Sequence, residues 1–141
     1  LKPYIVDTAM GVWGITYKQY YGGHEVVGTE LEVAAAQRDG SLATYSSHLY
    51  YDVALPSLEH ASFEDAFRNY PTEDIAREYI DPRSVAKLVI LPVKVGSRSQ
   101  YRLCWYCHYV TNKEVLGEVK VYLDANTGQV VKSIRRQAML D

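Results

Sequence analysis

"YRLCWYCHYV", residues 101–110, decides how the rest of the chain is read. Cys104-Trp105-Tyr106-Cys107-His108 spells the Cys-x-x-Cys-His pattern of covalent haem attachment. That chemistry needs both thiols brought together on a helical or turned segment. Alternation predicts something else. Tyr101, Leu103, Trp105, Cys107 and Tyr109 fall on one side of an extended chain, with Arg102, Cys104, Tyr106, His108 and Val110 on the other. Three residues of strand hold the two Cα atoms ~10 Å apart, beyond disulfide reach. The stretch therefore reads as a β-strand with two free thiols, Cys107 acting as a small core hydrophobe. Haem and redox-dithiol readings fall with that geometry. A zinc site built on His108 and the sulfurs lacks a second ligand pair elsewhere in the chain.

Strand character extends outward from this segment. "VAKLVILPVKV" (85–95) precedes it, with Pro92 demoting part of the run to an edge or a bulge. "EVKVYLD" (118–124) follows, and "DANTG" turns the chain into "QVVKSI" (129–134). Gly128 suits the positive φ of a bulged hairpin turn. The region from Trp13 to Val53 also reads as strands. "YGGHE" reverses direction, Leu31, Val33 and Ala35 share a face opposite Glu30 and Glu32, and "QRDGS" returns the chain into "LATYSSHLYY". This pattern predicts an antiparallel β-meander.

Between the two β regions lies a helical pattern. Phe63, Ala66, Phe67 and Tyr70 recur at i, i+3, i+4 and i+7, and Ser62 with Asp65 resembles a capping box. Pro71 interrupts the stripe, Thr72-Glu73-Asp74 reads as a fresh helix start, and Asp81-Pro82 ends it. A helical segment over 62–80 between antiparallel sheets predicts an α+β fold.

Composition narrows the function classes. The 141 residues carry a net charge of -2, which gives no electrostatic footprint for nucleic acid or anionic membrane. No apolar stretch approaches the ~20 residues of a membrane-spanning helix. Thirteen tyrosines against two phenylalanines favour half-buried sheet faces with a solvated or partner-facing side. The chain opens on Leu1 with no leader before the fold, so it reads as an excised piece, any signal peptide lying outside it.

Other chemistry-bearing groups read as structural. "QYYGGHEVVG" (19–28) holds His24-Glu25, but a zinc-peptidase helix would need histidine where Gly28 stands. Glu64-Asp65 and Glu73-Asp74 suit first helical turns, where the dipole favours carboxylates. His48 and His60 are isolated, and no Ser, His and Asp grouping emerges. The expectation is a non-enzyme without metal or cofactor.

Two spaced motifs resemble a known family. Gln19-x-Tyr21-x-Gly23-x-x-Val26-x-Gly28 is similar to the fungalysin/thermolysin propeptide (FTP) motif. Leu103-Cys104-Trp105 with Asp124-Ala125-x-Thr127-Gly128-x-Val130 resembles the PepSY domain. The order, FTP then PepSY, is that of thermolysin-type metallopeptidase prosegments. Cys104 and Cys107 depart from the usual small or apolar residues, and His24-Glu25 from an apolar-proline pair. The resemblance implies an FTP-like β-meander module over 1–56. It also implies a helix-plus-antiparallel-sheet PepSY (cystatin-like) module over 57–141. It further implies a chaperone and inhibitor of a secreted metallopeptidase, acting by protein–protein binding outside the cell or in the envelope. The alternative it leaves open is a stand-alone envelope module regulating a protease or sensor kinase. For partner contact, Lys132, Ser133, Ile134, Arg135 and Arg136 are the residues singled out, and Arg135-Arg136 doubles as a possible processing point or a solvated pair.

Overall fold

The computed structural model describes residues 1–9, 11–73, 75, 85–111 and 117–137. Its strands, in chain order, are β1 (Lys2–Ala9), β2 (Val12–Lys18), β3 (Tyr20–Tyr21), β4 (His24–Val26), β5 (Glu30–Ala36) and β6 (Leu42–His48), then β7 (Lys87–Val95), β8 (Arg98–Val110), β9 (Gly117–Asp124) and β10 (Val130–Gln137). Among the described residues a single helix, α1 (Phe63–Phe67), accompanies these strands. Four strands hydrogen-bond in the order β1-β2-β5-β6, and six in the order β10-β9-β8-β7-β4-β3.

The α+β expectation is overturned: the described residues are nearly all β, with one five-residue helix. The predicted start is present, since Ser62 Oγ accepts the Asp65 N–H at 3.2 Å. The end comes early. Arg68 N–H reaches Asp65 O and Tyr70 N–H reaches Phe67 O, three-residue bonds that tighten the turn. Pro71 then bars Tyr70 from continuing the helix. Ile75, placed in a second helix by the sequence, instead forms an antiparallel bridge with Thr111. Asp74 and residues 76–84 lie outside the described residues. The apolar stripe marked a contact face and overstated the length of the helix that carries it.

The chain divides into two compact units, Leu1–Ala54 with Pro92–Tyr101, and Leu55–Leu91 with Arg102–Asp141. In the first, β2, β5 and β6 neighbour one another as a meander does, and β1 adds an outer strand that the sequence reading omitted. The β3–β4 hairpin departs from that order: Gly22 and Gly23 both take positive φ, 57° and 85°, to turn it.

The second unit holds most of the core. Phe63 and Phe67 stack with centroids 5.0 Å apart against Cys107, Val119, Val121 and Leu123. Each phenylalanine so buried contributes about 2–3 kcal/mol of apolar transfer. Tyr109 is 1% exposed and hydrogen-bonds through its hydroxyl to Tyr70 at 2.7 Å, which leaves no phenol in this core without a partner among the two.

Candidate functional site

The turn between β9 and β10 brings the second motif together. Asp124 Oδ1 accepts the N–H groups of Asn126 and Thr127, both at 2.9 Å, while its Oδ2 accepts from Arg102 at 2.8 Å. Burial pushes the Asp124 carboxyl up, but the Thr127 and Asn126 N–H groups and the Arg102 guanidinium outweigh it and hold the pKa below the ordinary value. Gly128 has φ 76° and donates to Asp124 O at 2.9 Å. A Cβ there would collide with the Ala66 carbonyl oxygen and sit 3.2 Å from its carbon. Glycine is therefore required both by the backbone angle and by the close passage of α1.

Ala125, fully buried, donates to Leu103 O at 3.0 Å and accepts from Ala61 N–H at 2.9 Å. Trp105 Nε1 donates to Ala61 O at 2.9 Å, and its ring meets Phe63 edge-on at 5.7 Å. Leu103, Trp105, Asp124, Ala125, Thr127 and Gly128 thus form one structural clasp, which fastens the segment leading into α1 onto β8 and the hairpin. Their polar groups are consumed by the fold.

The first motif is spent in the same way. Gln19 behaves as a side-chain strand: Oε1 accepts Tyr50 N–H at 3.0 Å and Nε2 donates to Tyr50 O at 2.6 Å. Its backbone N–H donates to Thr29 Oγ1 at 3.0 Å, and that hydroxyl donates to Val26 O at 2.7 Å. Val26 N–H closes the loop on Gln19 O at 2.8 Å, with the Val26 side chain fully buried and Gly28 at φ 80°. Tyr21, Gly23 and Gly28 shape the hairpin, and none presents a reactive group.

Among the described residues the reactive side chains do not converge. Cys104 and Cys107 face Asp124 and Val121 across the β8–β9 ladder, three residues apart and so on opposite faces. Both are fully buried free thiols, and burial pushes each pKa up to about 12. His24 and Glu25 lie on β4, a three-residue strand, with Glu25 paired to Lys18 at 2.9 Å. Zinc-peptidase ligation needs one helical face, which a strand followed by a turn does not supply. Among the described residues no group of three or more His, Cys, Asp or Glu is placed to hold a metal ion.

One cluster escaped the sequence reading. Asp52 accepts the Tyr101 hydroxyl at 2.6 Å, beside Tyr50, and burial, then the hydrogen bond to Asp52 and its charge, raise the phenol to about 12. Asp52 also borders a solvent-open cleft lined by Val95, Ser97, Arg98, Ser99 and Gln100. Asp52 and Tyr101 stand too far apart in sequence for any local pattern to join them.

The residues singled out for partner contact lie on β10, the last strand in the six-stranded order. Lys132, Ser133, Arg135 and Arg136 are exposed and Ile134 half-buried. The β9 register sets Tyr122, Val121, Lys120, Val119 and Glu118 opposite residues 132 to 136.

No family model matches the chain, and no curated protein matches it. Among solved structures it is similar to the Bacillus megaterium YpeB C-terminal domain, at 12% identity and a TM-score of 0.44. That alignment covers 97% of this chain and 57% of the other, so this chain spans little more than half the length of that neighbour.

Proposed function

We propose that this chain is a non-enzymatic protein-binding module of the prosegment kind, a chaperone and inhibitor of a secreted metallopeptidase. One observation carries the reading: the motif residues and both thiols are turned into the fold, while β10 leaves a row of cationic side chains on a terminal strand. An edge strand offers unpaired N–H and C=O groups to an extended segment of a partner. Lys132, Arg135 and Arg136 steer an acidic rim toward it and set orientation. A partner bound only when native is stabilised by mass action, which is how such a module assists a slow-folding catalytic domain. Occupation of its cleft is the inhibitory half of the same contact. The working place is outside the cytoplasm, in the secretory or envelope compartment where such peptidases act.

The test uses a purified thermolysin-type catalytic domain, denatured and diluted with or without this chain. Expected are a higher yield of refolded peptidase and inhibition of its activity at stoichiometric amounts. A Lys132→Glu/Arg135→Glu/Arg136→Glu variant loses both effects. No change in yield or activity at a several-fold excess overturns the reading.

A further inference from the structure

Strand β10 carries its charges in an order that β9 only partly answers. The register sets Lys132 opposite Tyr122, Ile134 opposite Lys120 and Arg136 opposite Glu118, so these side chains share one face of the sheet. Ser133 and Arg135 stand opposite Val121 and Val119, on the other face. Glu118 gives Arg136 an acid directly across the ladder. Lys132 meets a phenol there, and Arg135 a fully buried valine. The two cations with no acid across the ladder are thus three residues apart and on opposite faces. Both are exposed, and the half-buried Ile134 lies between them. β10 ends the strand order, and among the described residues β9 is its sole strand neighbour.

We propose that this edge, in the binding role proposed above on which the inference rests, takes an extended segment bearing two acidic residues three apart with an apolar residue between them. An added strand continues the pleat of β10, so each of its side chains shares a face with the β10 residue opposite. Acids opposite Lys132 and Arg135 then make one ion pair on each face of the sheet. Run parallel to β10, the segment reads acid, any residue, apolar, acid. Run antiparallel, it reads acid, apolar, any residue, acid. In both directions the apolar residue opposes Ile134. Acids only two apart share a face and leave one of the two cations unanswered. A second copy of β10 is the wrong occupant. Two such strands paired antiparallel about Ile134 set Lys132 against Arg136 at both ends, and like charges directly opposed destabilise a strand pair. The cations therefore guard the edge against its own kind while admitting an acidic strand.

The test is binding of two labelled octapeptides, followed by fluorescence anisotropy and by the amide chemical shifts of the chain. Thr-Thr-Glu-Val-Val-Glu-Thr-Thr suits either strand direction. Thr-Thr-Glu-Val-Glu-Val-Thr-Thr has the same composition with its acids two apart. Expected are shifts concentrated at residues 131–136 and an affinity for the first peptide about two- to fivefold above the second, the worth of one opposed charge pair. Lys132→Glu/Arg135→Glu changes only exposed positions. It loses that preference and binds Thr-Thr-Lys-Val-Val-Lys-Thr-Thr over the glutamate peptides, a gain that an unfolded chain does not show. Equal affinity for the two glutamate peptides overturns the proposal, as do shifts confined to other strands or a variant that gains no lysine preference. No peptidase is present, so the outcome is separate from the refolding assay. Assisted refolding without peptide selectivity overturns this inference alone, and selectivity without assisted refolding supports it while the prosegment role falls.

Discussion

Replacing Gly128 with alanine tests the clasp at its tightest point. The native φ of 76° places an L-residue in the left-handed region, at about 1–2 kcal/mol. The added Cβ also meets the Ala66 carbonyl oxygen, and backbone atoms of α1 cannot swing aside as a side-chain tip would. Forced repacking of this kind costs about 1–3 kcal/mol. For a combined loss of ~3 kcal/mol and an m-value of ~1.5 kcal/mol/M, the urea midpoint falls by about 2 M. A Trp13→Phe background leaves Trp105 as the sole indole, and its bond to Ala61 O makes it a reporter of the clasp. Gly128→Asn separates the two costs, because asparagine tolerates positive φ but keeps the Cβ. The asparagine variant is expected between alanine and glycine, still well below the unmodified protein. A loss under ~1 kcal/mol for alanine, or full stability for asparagine, refutes the argument.

Further outcomes follow from the same contacts. Gln19→Ala removes both bonds to the Tyr50 backbone and destabilises the first unit by about 1–3 kcal/mol, read from Trp13 fluorescence in urea. Gln19→Glu is expected to do no better, since it sets a carboxylate against the Tyr50 carbonyl. Cys104 and Cys107, raised to about 12, react with a disulfide reagent at pH 8 about 10³-fold slower than in the urea-unfolded chain. Equal rates in the two states would contradict their burial. Asp124 has a folded pKa below its unfolded value near 3.9, so its stabilisation is complete above that pH and is lost as pH falls through the folded value. Asp124→Asn therefore flattens the acid limb of stability below pH ~4, and an unchanged acid profile would remove the carboxylate from the clasp.

The strand content was legible because alternation survives on β8 and β9, and the turn at Asp124–Gly128 because its residue types are demanded by hydrogen bonds and positive φ. The helix misled because Phe63, Ala66, Phe67 and Tyr70 satisfy a helical stripe whether the chain makes five helical residues or many. What decided its length was local, the three-residue bonds to Arg68 and Tyr70 and the proline after them. Strand β1 was missed because "KPYIVDTA" mixes charge, proline and β-branched residues without clean alternation. The Gln19–Tyr50 and Tyr101–Asp52 contacts join distant segments, so no window of sequence contains them. Within the fold, Asp124 and Gly128 hold the β9–β10 turn, and Gln19 ties its strand to Tyr50.

The most direct measurement of the binding claim is amide hydrogen exchange on this chain, free and saturated with a thermolysin-type catalytic domain. Slowed exchange concentrated at residues 131–136 of β10 is the result expected of an added strand on that edge. Exchange unchanged at β10, with protection elsewhere or nowhere, would contradict the account.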